Sequence, residues 1–207
     1  VAVVAYERIS PFHLAVPCVV FGNTVPGCAQ FEVRVCALEA GPLATTAGFA
    51  ISAAHGIDGL ASADIVVVPS WRDAAEHPPE ALTSALAAAE KRGAQIVGLC
   101  LGAYVLAAAG LLAGRRATTH WEDAADFARR FPSVAVDADV LYVEDGALIT
   151  SAGTAAGIDC CLHLVRRRFG AQAANRVARR LVTPPHRDGG QTQYIEQALP
   201  ETAGGSR

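Results

Sequence analysis

Nowhere does this 207-residue chain hold the roughly 18 consecutive apolar residues that a membrane helix needs. The opening Val1-Ala2-Val3-Val4-Ala5-Tyr6 also lacks the basic flank and the length of a signal peptide, so a soluble, cytoplasmic protein without a membrane partner is expected. An excess of positive charge is missing too. Lys and Arg number 17 against 20 Asp and Glu, and a formal net charge of -3 gives the body of the chain no electrostatic reason to hold nucleic acid. The cysteines Cys18, Cys28, Cys36, Cys100, Cys160 and Cys161 include no CxxC pair, and no His stands at zinc-site spacing. Neither a disulfide scaffold nor a metal site is indicated, and no cofactor is expected. There is no internal repeat. At 52% hydrophobic and 18% charged, the chain is suited to one domain with a full core.

Short apolar runs alternate with helical patterns. Val1 to Tyr6 and Asp64-Ile65-Val66-Val67-Val68-Pro69 read as strands buried on both faces of a parallel sheet. Ser10-Pro11 opens a helix that ends at Gly22, with Pro17 expected to kink it or separate its first turn. Residues 31–38 form a second strand, and residues 42–52 have the pattern of a small hairpin. Pro78-Pro79-Glu80 starts a helix running to about Arg92. Beyond it, residues 121–131 read as a helix, residues 140–143 and 147–150 as two strands around Glu144-Asp145-Gly146, and residues 154–169 and 171–182 as long helices. Adjacent Cys160 and Cys161 suit an apolar core face, and Arg115-Arg116 and Arg166-Arg167-Arg168 suit solvated faces. From Thr183 the chain is turn-rich and polar, so residues 1–182 are expected to form one domain and residues 183–207 a linker.

Gln95 to Gly110 organises the rest. A β-branched run enters Gly98-Leu99-Cys100-Leu101-Gly102, and an Ala- and Leu-rich helix leaves it. Strand, sharp turn and helix in this order make a nucleophile elbow, in which flanking glycines relieve collisions around a strained central residue. The helix start should favour a Cys100 thiolate, making it the most readily modified cysteine. A small buried hydrophobic Cys is the plainer alternative.

The alternating α/β pattern, Val97-Gly98-Leu99-Cys100-Leu101-Gly102-Ala103 and Ala117-Thr118-Thr119-His120-Trp121 resemble the ThiJ/PfpI superfamily, which is related to class I glutamine amidotransferases. Ser151-Ala152-Gly153-Thr154 and Thr183-Pro184-Pro185-His186-Arg187 narrow the resemblance to the amino-terminal domain of AraC-family transcriptional regulators. It implies a flavodoxin-like three-layer sandwich with a mainly parallel sheet, and a site at the carboxyl ends of the strands. It also implies a homodimer, a small-molecule effector, and DNA contact only through a carboxyl-terminal helix-turn-helix domain absent from these residues.

The same resemblance supplies the candidate site. Enzymes of the superfamily pair the elbow cysteine with an acid from the first helix region, and that position falls on His13 here. Leu101 follows Cys100 where isonitrile-hydrating relatives carry Thr and PfpI-type peptidases carry His. The late His-x-Glu of glutaminases is absent. Cys100 and His120 are the candidate reactive pair, and His13, Trp71, Leu101 and Trp121 join them as candidate ligand contacts. Two readings follow: a sensor domain without catalysis, or a cysteine-dependent hydratase or hydrolase with His120 as base.

Overall fold

Continuous β-branched runs build the centre of the molecule, and amphipathic helices close over both of its faces. The computed structural model describes residues 1–22 and 31–193; Cys28 and the tail beyond Gln193 lie outside the described residues. In chain order the elements are β1 (Ala2–Ala5), α1 (Pro11–Phe21), β2 (Arg34–Ala37), β3 (Leu43–Ala44), β4 (Ala50–Ile51), β5 (His55–Gly56), β6 (Ile65–Val68), α2 (Glu80–Lys91), β7 (Gln95–Leu99), α3 (Gly102–Ala108), β8 (Arg116–Ala117), α4 (Ala124–Arg130), β9 (Ala135–Val136), β10 (Tyr142–Asp145), β11 (Leu148–Ser151) and α5 (Ala156–Arg180).

The main sheet runs β10-β11-β7-β6-β1-β2-β5. All its pairs are parallel except β10 with β11. Successive residues of the central strands go to opposite faces, as the pleat requires. Val4, Val66, Val68 and Ile96 pack with Leu82 and Leu86 of α2 and Tyr104 of α3 on one side. Val3, Ile65, Val67, Val97 and Leu99 pack with Val16 and Val20 of α1 and Cys160, Cys161 and Leu164 of α5 on the other. This is the three-layer, mainly parallel arrangement expected. Strand order reverses between β1 and β6, the kind of switch point where open α/β sheets leave a crevice beyond their carboxyl ends.

Three local expectations need correction. α1 continues through Pro17 to Phe21 without a break. Its buried Val16, Pro17, Val20 and Phe21 hold it by packing, which outweighs the one backbone hydrogen bond Pro17 removes. The helix expected over 121–131 is instead a 3-10 turn at Trp121–Asp123 followed by α4 from Ala124. The tail over residues 183–193 is not loose: the N–H groups of Leu141 and Tyr142 donate to the Gly189 carbonyl at 2.8 and 3.3 Å, and that of Gln193 to Asp139 at 2.8 Å. The two late helices expected on either side of Gly170 meet at a kink there, where a φ of 85° is non-helical.

Two glycines set the spacing at the top of the sheet. A Cβ on Gly102 would lie 2.3 Å from the Val68 carbonyl oxygen, and one on Gly153 would lie 2.2 Å from the Cys100 Cβ. Neither approach can be relieved by a side-chain rotation, because the Val68 oxygen is backbone and the Cys100 N and Cα, at 2.7 and 2.8 Å, stand behind its Cβ. Gly102→Ala and Gly153→Ala are each expected to cost about 2–4 kcal/mol in urea unfolding. Gly110→Ala shares a positive φ with Gly153 but meets open space, and should cost only about 1–2 kcal/mol.

Candidate functional site

Four adjacent parallel strands deliver residues to one place. Tyr6 follows β1, Ser70 lies just beyond β6, Cys100 ends β7, and Ala152-Gly153-Thr154 leaves β11. Cys100 takes a φ of 52°, the strained left-handed geometry of an elbow. Its N–H donates to the Ser151 carbonyl at 2.8 Å, and its carbonyl accepts from the Thr119 hydroxyl at 2.9 Å and from the Ala103 N–H at 3.2 Å. These bonds hold the strained residue from both sides.

The thiol itself is sealed. Cys100 is 8% exposed, and burial pushes its pKa up to about 11. Hydrogen bonds from the Leu101 backbone and the Ser70 side chain act the other way without reversing the shift, and the nearby Asp123 and Glu122 charges add to it. The thiolate expected from the helix start is therefore not favoured. α3 is only seven residues long and its start is buried, so the dipole competes with nearly complete loss of water. Tyr6 shares this pocket of low polarity: burial first, then the neighbouring Cys100, raises its phenol well above the ordinary range.

His13 and His120 approach each other from α1 and from the turn after β8. Burial, followed by the His120 charge, lowers the His13 pKa, and neither His13 ring nitrogen has a hydrogen-bond partner. His120 Nδ1 lies 3.5 Å from the Glu122 carboxylate, and its ring centroid 5.7 Å from that of Trp121. Among the described residues no hydrogen bond joins either imidazole to Cys100. Trp71 faces inward, with its ring centroid 4.9 Å from Tyr6, its indole N–H donating to the Glu76 carbonyl at 2.9 Å, and the Arg72 guanidinium 4.7 Å above it. Leu101 packs at the edge of the core that contains Trp71.

Beside the elbow, on the far side of Gly153, lies a cavity of about 140 Å³. His120 and Trp121 line it together with Leu141, Gly153, Thr154, Arg187 and Gln193, whereas His13, Trp71, Cys100 and Leu101 do not. The Gln193 amide is its best-anchored wall. It donates to the carbonyls of Thr119, Ala138 and Val140 at 3.1, 2.9 and 2.9 Å, and its oxygen accepts the Trp121 N–H at 3.1 Å. Sequence reasoning missed Tyr6, Thr119, Gly153, Arg187 and Gln193 as members of this region. Position at the end of a strand was a signal for Tyr6 and Gly153, but nothing local marks Gln193, whose partners are 53 to 74 residues away. Among the described residues no group of three His, Cys, Asp or Glu side chains is placed to hold a metal ion, and no helix is long and apolar enough to cross a membrane.

Known proteins match this arrangement. The chain is 32% identical over 152 residues to the HTH-type transcriptional regulator CdhR of Pseudomonas aeruginosa, covering 73% of this chain and 45% of that one. It is 38% identical over 91 residues to an isonitrile hydratase of Pseudomonas putida, covering 44% of this chain and 38% of the relative. Thus it spans less than half the length of either relative. The crystal structure of an AraC family transcriptional regulator from Pseudomonas putida superposes with a TM-score of 0.74 at 23% identity, over 87% of this chain and 98% of that one, which shows a shared fold. The family model described as DJ-1/PfpI family matches residues 1–167. With the elbow, the parallel sheet and this match in agreement, the chain belongs to the DJ-1/PfpI family.

Proposed function

We propose that this chain is the effector-sensing domain of a cytoplasmic AraC-type transcriptional regulator, that it pairs as a homodimer, and that its elbow takes part in binding without catalysis. DNA is then contacted through a further domain, toward which residues 183–207 lead. The observation that carries this reading is the state of Cys100. A cysteine nucleophile needs a nearby base or a lowered pKa. Here the thiol is buried, raised to about 11, and bonded to Ser70 and the Leu101 backbone. His13 stands where related enzymes place an acid, and burial, then the His120 charge, work against the protonated form of its unpaired ring. Similarity to a transcriptional regulator over 73% of the chain supports the sensor role. Phe12 and Val19, 51% and 47% exposed and seven residues apart on one face of α1, support pairing of two copies.

One observation favours a second reading, a cysteine-dependent hydratase or hydrolase acting on a small molecule. The elbow keeps its strained φ of 52°, the geometry in which such enzymes display a nucleophile. Turnover assays separate the two. The wild-type domain and Cys100→Ser should be indistinguishable with an alkyl isonitrile, an amide or an activated ester; rapid wild-type turnover lost in Cys100→Ser would establish the enzyme.

Iodoacetamide labelling followed by mass spectrometry should modify the half-buried Cys18 ahead of Cys100 at pH 7.4. The Cys100 rate should climb about tenfold per pH unit up to pH 10 without levelling, because its thiolate fraction is still rising below a pKa of about 11. His13→Leu removes two unsatisfied nitrogens and should leave stability unchanged or raise it by up to about 1–3 kcal/mol at pH 7.5. Its advantage should widen as pH falls below 6.5: the unfolded wild type takes up a proton there, the folded His13 resists it, and stability present above that pH is lost. In sedimentation at micromolar concentration the wild type should run as a dimer and Phe12→Glu as a monomer.

A further inference from the structure

The cavity beside the elbow has walls from two sources. His120, Trp121 and Thr154 come from the body of the domain, and Arg187 and Gln193 come from the returning tail. Among the described residues the tail is tied to the body of the domain chiefly through residues 187, 189 and 193, and several of these bonds end close to the cavity. Gly189 accepts from Leu141 and Tyr142, Arg187 presents its carbonyl to the Tyr142 hydroxyl at 3.1 Å, and the buried Gln193 amide reaches the Thr119 carbonyl. Thr119 in turn donates its hydroxyl to the Cys100 carbonyl. Elbow, cavity and tail are thus joined through two side chains.

Among the described residues, Arg187 is the one permanently charged member of the cavity wall. Its guanidinium has a loose hold on its protein partners: Nη1 lies 3.4 Å from the buried Asp159 carboxylate, and Nε lies 3.4 Å from the Gln191 side-chain oxygen. Charge-assisted hydrogen bonds of this type are ordinarily about 2.7–2.9 Å, so donor capacity remains for another acceptor. The rest of the lining is chiefly apolar, from Trp121, Leu141 and three alanines. At about 140 Å³ the space is close to that of the roughly 150 Å³ cavity known to admit benzene.

We propose that this cavity takes a small monocarboxylate whose anionic end pairs with Arg187 and whose short apolar body lies against Trp121, and that its binding holds residues 187–193 down on the domain. This rests on the sensor reading above and names the ligand class and the moving part of that sensor. A ligand that touches both walls stabilises the docked tail by mass action, and at ten times its dissociation constant it multiplies the docked-to-released ratio about elevenfold.

Butyrate is the probe, and butyramide is its uncharged match. With the 207-residue chain, NMR should show butyrate shifting the side-chain resonances of His120 and Trp121. Amide hydrogen exchange at Leu141, Tyr142 and Trp121, whose N–H groups donate to the tail, should slow about tenfold near saturation. Butyramide should do neither, and Arg187→Gln should abolish both responses to butyrate while the dispersion of its NMR spectrum shows the fold retained, at a lower melting temperature because the buried Asp159 loses its cationic neighbour. An equal response to butyramide, or an undiminished one in Arg187→Gln, overturns the carboxylate assignment. Shifts at His120 and Trp121 with unchanged exchange overturn the coupling to the tail while leaving the sensor reading intact. No shift with either probe overturns the cavity as the carboxylate site, and the sensor reading is then judged by the turnover comparison of wild type and Cys100→Ser.

Discussion

Backbone meets backbone at the top of the sheet with no room for a methyl group, and the rest of the site depends on that contact. Gly102 lets α3 start against the Val68 carbonyl, Gly153 lets the chain leaving β11 pass over Cys100, and the Cys100 N–H is fixed to Ser151. The contact requires β6, β7 and β11 to be neighbours, and the register Val68 to Gly98 and Gly98 to Thr150 makes them so. It also explains the chemistry of the thiol. Chains packed this closely exclude water, and without water the charged form of a cysteine is the unfavourable one.

Much of the fold was legible because each central strand is a short apolar run with its own turn signals. Residues 64–69 and 95–99 could be placed as adjacent parallel strands from β-branched content and the helical segment between them. Glu144-Asp145-Gly146 marked the antiparallel turn between β10 and β11. Less legible were features set by distant packing. Pro17 reads locally as a break or a kink, and burial of its face rules out the break by keeping α1 one helix. The polar composition of residues 183–193 reads as linker, yet the Gln193 amide reaches the carbonyls of Thr119, Ala138 and Val140, more than fifty residues back along the chain.

The site shows the same division. Motif spacing located Cys100 at an elbow and named His120 and Trp121 beside it, but it did not separate these two, which line the cavity, from His13, Trp71 and Leu101, which do not. The protonation state of the thiol depends on burial, which no motif encodes. Trp71 was marked by its place after a central strand, and there its indole is consumed by Tyr6, Arg72 and the Glu76 carbonyl. The basic runs read as solvated faces are paired at the surface: Arg115 with Asp145 and Glu90, Arg116 with Asp137, and Arg167 with Glu144.

The returning tail has a bearing on how separate molecules meet. An open sheet carries two rims of unpaired N–H and C=O groups, either of which can recruit a strand from another chain. Here one rim begins under the molecule's own residues 189–193, bridged at Val140 and Thr192, and the opposite rim is shortened to the two residues His55 and Gly56. With both rims blunted, strand addition between copies finds little template. The homodimer proposed above would then rest on the helical faces, where contacts are set by side-chain shape and not by generic backbone pairing.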